Sequence, residues 1–174
     1  MLPFDLKKIC RWLANEGFDC DVIKEDLVTH EDQIMLNAGN DDHGRNLFFY
    51  LKFLEGQEKP ENEEEKRYLL QFFLPFPIKI EEGSQSELAR YLMMMNKTIE
   101  FPCLGMCEFN KIVFFRYVYL CAAKGVNTEA ILTNLAMALL VWDLFGDNIE
   151  ELASNHKKFS QILKEAADTN LDDI

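Results

Sequence analysis

The chain opens with a helical period. Leu6, Ile9, Cys10 and Leu13 fall at i, i+3, i+4 and i+7, which places them on one helix face. Asp5 supplies a cap and Gly17 a stop, so a first helix is expected over about Asp5–Glu16. The period then changes to two. Phe18–Val22 and Gln33–Leu36 read as short strands. Over Asn46–Leu54, Leu47, Phe49, Leu51 and Phe53 alternate with Phe48, Tyr50, Lys52 and Leu54. Over Arg67–Leu74, Tyr68, Leu70, Phe72 and Leu74 share one side, and Pro75 and Pro77 then end the strand because proline cannot donate to a ladder. Apolar residues on both sides of these strands imply that the protein covers both faces, or that it covers one and a partner the other.

A helical period returns at Ser84, which with Glu87 has the form of a capping box. Leu88, Tyr91, Leu92 and Met95 give the apolar face and Asn96 a terminator. Ile99–Glu108, interrupted at Gly105, and Lys111–Leu120 follow as strands of a hairpin turning at Asn110 and Lys111. The segment from Asn127 to about Phe145 is apolar almost all the way round, as in a helix buried on more than one side. Asp147 with Glu150 then reads as the start of a fourth helix carrying Ile149, Leu152, Phe159, Ile162 and Leu163. Helix, strands, helix, strands, helix, helix predicts an α+β fold with an antiparallel sheet. The whole chain, 1–174, reads as one domain, with 147–174 as a C-terminal helical extension.

Composition narrows the function more than the fold. The chain has 174 residues, 48% of them hydrophobic and 14 of them Phe, enough for a core without disulfides or metal. Thirty acidic against 18 basic residues leave a net charge of −12, which repels phosphate backbones and disfavours nucleic acid. Gly56–Glu65 reads as an exposed acidic loop. The five cysteines, Cys10, Cys20, Cys103, Cys107 and Cys121, are odd in number and irregularly spaced, unlike a disulfide framework. With no signal-peptide pattern at Met1–Lys8, and an apolar run at Leu135–Trp142 too short to cross a bilayer, a cytoplasmic protein off the membrane is expected.

Catalytic chemistry has little to work with. No phosphate-cradling glycine loop or nucleophile elbow is present, and His30, His43 and His156 all lie in polar settings. His30-Glu-Asp and Asp41-Asp-His43 contain metal-capable residues, but their spacing matches no chelate. Cys103 and Cys107 have no second pair to complete a zinc site. Phe114, Phe115, Tyr117 and Tyr119 could stack bases, yet no basic groove surrounds them. The surplus is apolar. Core, interface, or both would absorb it, and Met93, Met94 and Met95 suit an adaptable surface.

Ser86–Asn96, Phe101-Pro-Cys-Leu-Gly105, Val113-Phe-Phe-Arg-Tyr117 and the Asn127–Phe145 helix together resemble the YbjN-domain family, part of the type III secretion chaperone-like group of folds. The resemblance spans roughly Leu69–Leu152. It implies a strongly bent antiparallel sheet flanked by helices, a homodimer, and a non-enzymatic protein that holds an extended client segment. The YbjN branch implies instead a regulator in signalling or stress adaptation. Neither implies a cofactor or catalytic residues. The acidic loop and the fourth helix depart from the compact chaperone pattern. The leading expectation is a protein-binding module using Ile9, Leu13, Phe48, Tyr50 and Phe73 as partner contacts. A regulator is the second reading, and a metal-dependent enzyme using His30, His43 and nearby acids the third.

Overall fold

A computed structural model describes residues 1–24, 32–54, 68–101, 103–121 and 124–172. The acidic loop, His30 and Arg67 lie outside the described residues. Ten elements follow in order: α1 (Leu6–Asn15), β1 (Asp19–Ile23), β2 (Gln33–Asn40), β3 (Asn46–Leu54), β4 (Leu69–Pro75), α2 (Gln85–Thr98), β5 (Leu104–Cys107), β6 (Ile112–Leu120), α3 (Thr128–Ala153) and α4 (Phe159–Asp172). The strands form one six-stranded antiparallel sheet in the order β1-β2-β3-β4-β6-β5. This is the expected α+β class. The chain divides into two compact units, Met1–Pro75 with Phe115–Leu139, and Phe76–Phe114 with Leu140–Ile174.

In the first unit the Asp5 carboxylate caps α1, accepting from the Lys8 N–H at 3.1 Å, and Gly17 takes a left-handed φ of 95° just past the helix end. The reversal lays α1 against β1 and β2. Alternation then sorts the strands. Ile34, Leu36, Phe49, Leu51, Leu70, Phe72 and Leu74 are fully buried on the inner face, the one that α1 packs against at β1 and β2, and Ile9 and Leu13 of the helix are fully buried too. At the end of that face Phe4 stacks on Tyr68 with ring centroids 3.9 Å apart, and Phe53 meets both rings edge-on. Leu2 and Val126 exchange backbone hydrogen bonds of 2.8 and 2.7 Å. This leaves no room for a Cβ at Gly125, which would meet the Leu2 carbonyl oxygen.

In the second unit the capping box expected at Ser84 and Glu87 does not form. Ser84 is wholly buried and its hydroxyl donates to the Glu81 carbonyl at 2.8 Å. Glu87 turns instead to α4, where its Oε2 accepts from the Phe159 N–H at 2.8 Å. A carboxylate at that helix start serves the same unpaired donors, from another part of the chain. Arg90 lies 4.8 Å above the Phe159 ring and Tyr91 meets that ring edge-on. Asn96 does not end α2. It binds the strand beyond, accepting from the N–H groups of Cys103 (3.0 Å) and Leu104 (2.9 Å) and donating to the Leu104 carbonyl (2.7 Å). Gly105 is part of β5 rather than a break, because a Cβ there would lie 2.7 Å from the Phe114 ring.

The third helix is longer than its pattern suggested. It runs for 26 residues and passes straight through Asp147 and Glu150, so Asp147 does not start a fourth helix. Val141, Trp142, Ile149, Leu152 and Ala153 continue one buried stripe, and Trp142 also packs on Phe76 with centroids 4.6 Å apart. That burial outweighs the local cap signal. The stop comes at Asn155, with φ 58°, whose side chain donates to the Glu82 carbonyl at 3.1 Å. At this length α3 has the size and apolarity to cross a bilayer, unlike the eight-residue core that its sequence presents first. Its residues Ile131, Leu135 and Ala138 are buried in the protein, whereas Leu140 and Leu144 are 55% and 61% exposed.

Candidate functional site

The two faces of the first unit's sheet both carry large apolar residues, and only one is packed by α1. Tyr50 pairs with Met35 on one side and Phe73 on the other; Phe48 pairs with Asn37. Met35 in turn pairs with Asp21. The side chains of one such row point to a single face, and odd and even positions separate inner from outer. Hence Met35, Phe48, Tyr50, Leu54, Leu69 and Phe73 all belong to the outer face, and all are half-buried.

Strand β6 extends this surface. The Cys121 N–H bonds to the Tyr68 carbonyl and the Phe76 N–H to the Val113 carbonyl, both at 2.9 Å. The spacing of these two bonds is the same on both strands, so the register between them sets Leu69 opposite Leu120, Gln71 opposite Val118 and Phe73 opposite Arg116. Val118 is 37% and Leu120 53% exposed, large values for apolar strand residues. Across the sheet a continuous row therefore reads Asp21, Met35, Tyr50, Phe73, Arg116. Its ends are charged, exposed and of opposite sign, and its middle is apolar. A parallel row reads Leu54, Leu69, Leu120.

Of the five expected partner contacts, Phe48, Tyr50 and Phe73 lie together on this face. Ile9 and Leu13 do not. Both are fully buried between α1 and the strands beneath it, so neither is available to a partner. One apolar stripe on a helix of ten residues is consumed by its own sheet. Met35, Val118 and Leu120 are the members that sequence reasoning missed. The signal was the same alternation; for Val118 and Leu120 it was unreadable until β4 and β6, separated by α2 and β5, were known to be neighbours. The strand Val113–Leu120 also divides: Phe115 is buried and Tyr117 and Tyr119 half-buried on the inner parity, while Arg116, Val118 and Leu120 point outward. Met93, from the expected methionine cluster, is 74% exposed, whereas Met95 is buried.

The Asp41–Arg45 pair of the β2–β3 connection is engaged in structure. Asp41, in the β2–β3 connection, accepts from the Arg45 backbone N–H (2.8 Å), the Arg45 Nε (2.7 Å) and the His43 N–H (3.0 Å). Burial pushes the Asp41 carboxyl upward, but these donors and the Arg45 charge outweigh it and hold the group below its usual 3.8. The Asp41-Asp-His43 segment thus spends its first carboxylate on shaping a turn. Among the described residues no group of three or more His, Cys, Asp or Glu side chains is placed to hold a metal ion. Comparisons with protein-family models, with curated proteins and with solved structures return no match.

Proposed function

We propose that the chain is a non-enzymatic protein-binding module whose outer sheet face holds an extended segment of a partner protein. The observation that carries this reading is the Met35–Tyr50–Phe73 row with Phe48 beside it, aromatic and apolar, on the face opposite α1. The Lys52–Gln71 pair borders this row on the same face. An apolar patch with a polar rim on the far side of a sheet that already has a core is the kind of surface partners bury. Aromatic side chains at its centre are favoured anchors, because they offer much area for little lost rotamer freedom. Asp21 and Arg116 at opposite ends would orient a segment that carries the complementary charges.

Those end charges also support a second reading, in which the partner is a second copy. A two-fold axis lying along β3 at Tyr50 would set Asp21 of each copy against Arg116 of the other and Met35 against Phe73. Such a face is complementary to itself, as an isologous dimer requires. Arg116→Glu would then dissociate the dimer and Asp21→Arg in the same chain would restore it, both read by sedimentation velocity.

A photo-reactive phenylalanine analogue placed at Tyr50, with the same analogue at exposed Met93 as control, tests the main reading in cells. A discrete adduct with one other protein at Tyr50 and none at Met93 is expected. An adduct of twice the chain mass would favour the second copy instead. No adduct at Tyr50, or the same adducts at both positions, would overturn both.

A further inference from the structure

Cys10 and Cys20 stand ten residues apart in the chain and meet in space. Cys10 is on α1, and Cys20 is on β1 at the parity of Val22, opposite Leu36, which turns it toward the helix. Their sulfurs are 3.2 Å apart, and the Cys20 thiol also lies 3.2 Å from the Cys10 carbonyl oxygen, to which it donates. Both residues are half-buried and keep some exposure to solvent, as does Cys107, whereas Cys103 and Cys121 are buried. We propose that Cys10 and Cys20 are a reversible redox modification site, converted to an internal disulfide by small-molecule disulfides of the oxidised-glutathione class.

A disulfide bond is about 2.05 Å long, so the sulfurs need to close by little more than 1 Å. The chain between them reverses at Gly17, where φ is already 95°, and α1 already rests on β1. Closure therefore requires no rearrangement of either element. Thiol–disulfide exchange proceeds by attack of a thiolate on a sulfur. Burial pushes the Cys20 thiol up to about 12, with the neighbouring Cys10 and the charges of Asp19 and Asp21 adding to it. The Cys20 proton is also held in its hydrogen bond to the Cys10 carbonyl oxygen, so Cys10 attacks first. Its sulfur bonds to one sulfur of the small disulfide and expels the other half as a thiolate. Cys20 then loses its proton and attacks Cys10 Sγ, which breaks the mixed disulfide and releases the second small thiolate. Two protein thiols become one disulfide, one small disulfide becomes two small thiols, and the two protons end on the departing thiolates. Excess small thiol reverses both steps. The product pins α1 to β1, the edge strand of the sheet. The inference stands whether or not the outer face binds a partner.

The test is to incubate the full-length native protein with oxidised glutathione, block remaining thiols, digest and map disulfides by mass spectrometry. Expected is a Cys10–Cys20 cross-linked peptide, with Cys103 and Cys121 still alkylated once the chain is unfolded, and with complete loss of the cross-link after dithiothreitol. Cys20→Ser should stop the sequence halfway and retain glutathione on Cys10. Stable glutathione on Cys10 in the wild type, a cross-link that joins other cysteines, or no reaction at either residue would overturn the proposal. Because the mapping uses the wild-type chain, its outcome does not depend on how well the variant folds.

Discussion

Strands β3 and β4 carry the same kinds of side chain on both faces, and the two faces meet different fates. Phe49 and Phe72 point inward and are fully buried. Phe48 and Phe73, one residue away on the same strands, point outward and remain half-buried. Inward, an aromatic ring is explained by the core it fills. Outward, the same ring stays partly open to solvent, and a strand that required only one packed face would carry mostly polar residues there. The difference separates residues that make the fold from residues that the fold presents. It also corrects Ile9 and Leu13, whose helix face resembled a surface patch and is core.

The contrast can be broken most forcefully at its inner side. Phe72→Ala should destabilise the protein by about 3–5 kcal/mol, the usual cost of an aromatic cavity, measured by urea denaturation. A loss under about 1 kcal/mol would mean that the inner face is not a tightly packed core. Next in size is Asn96→Ala, which leaves two N–H groups and a carbonyl of the Cys103–Leu104 segment without their partner. About 2 kcal/mol is expected from unpaired groups of this kind. Asn96→Asp should recover part of it, because both acceptor contacts can be kept. Smaller again is Phe73→Ser, predicted at under about 1.5 kcal/mol by the same denaturation, since its ring is only half-buried. If Phe73→Ser cost as much as Phe72→Ala, the two faces would be equivalent and the outer one would be core.

How much of this was legible beforehand depended on the range of the signal. The β3 boundaries, Asn46–Leu54, were readable to the residue, because strict alternation needs no knowledge of neighbours. The start of α1 was readable because Asp5 caps it from within the same turn. Signals that depend on distant partners misled. Ser84 and Glu87 have the spacing of a capping box, but Glu87 caps α4, 72 residues away. Asp147 and Glu150 imitate a helix start inside a helix whose buried stripe carries it onward to Ala153. For the candidate site, Phe48, Tyr50 and Phe73 were visible from alternation. Arg116, Val118 and Leu120 joined them only once the β4–β6 pairing was known. The approach of Cys10 to Cys20 was likewise hidden, because it depends on which face of β1 meets α1.

The mildest perturbation concerns the sheet's border. Asp41 has a carboxyl held below 3.8 in the folded protein by its Arg45 and His43 donors. A depressed carboxyl contributes stability that is fully present above its unfolded value and is lost as pH falls through the folded one. The stability difference between wild type and Asp41→Asn should therefore be constant above about pH 5 and shrink progressively below 3.8. Denaturation curves for both proteins across that range would check it. A difference that grew on acidification would reverse the assigned sign. Neither face should be affected at neutral pH.

The central claim, that the outer face is presented rather than packed, is tested most directly by Tyr50→Ser/Phe73→Ser. Stability and photo-cross-linking from position 48 should be measured on the same preparations. The account predicts a cooperative fold that retains most of its stability and loses the adduct formed by the parent protein carrying the same label. A double variant that fails to fold, or one that forms the adduct undiminished, would contradict it.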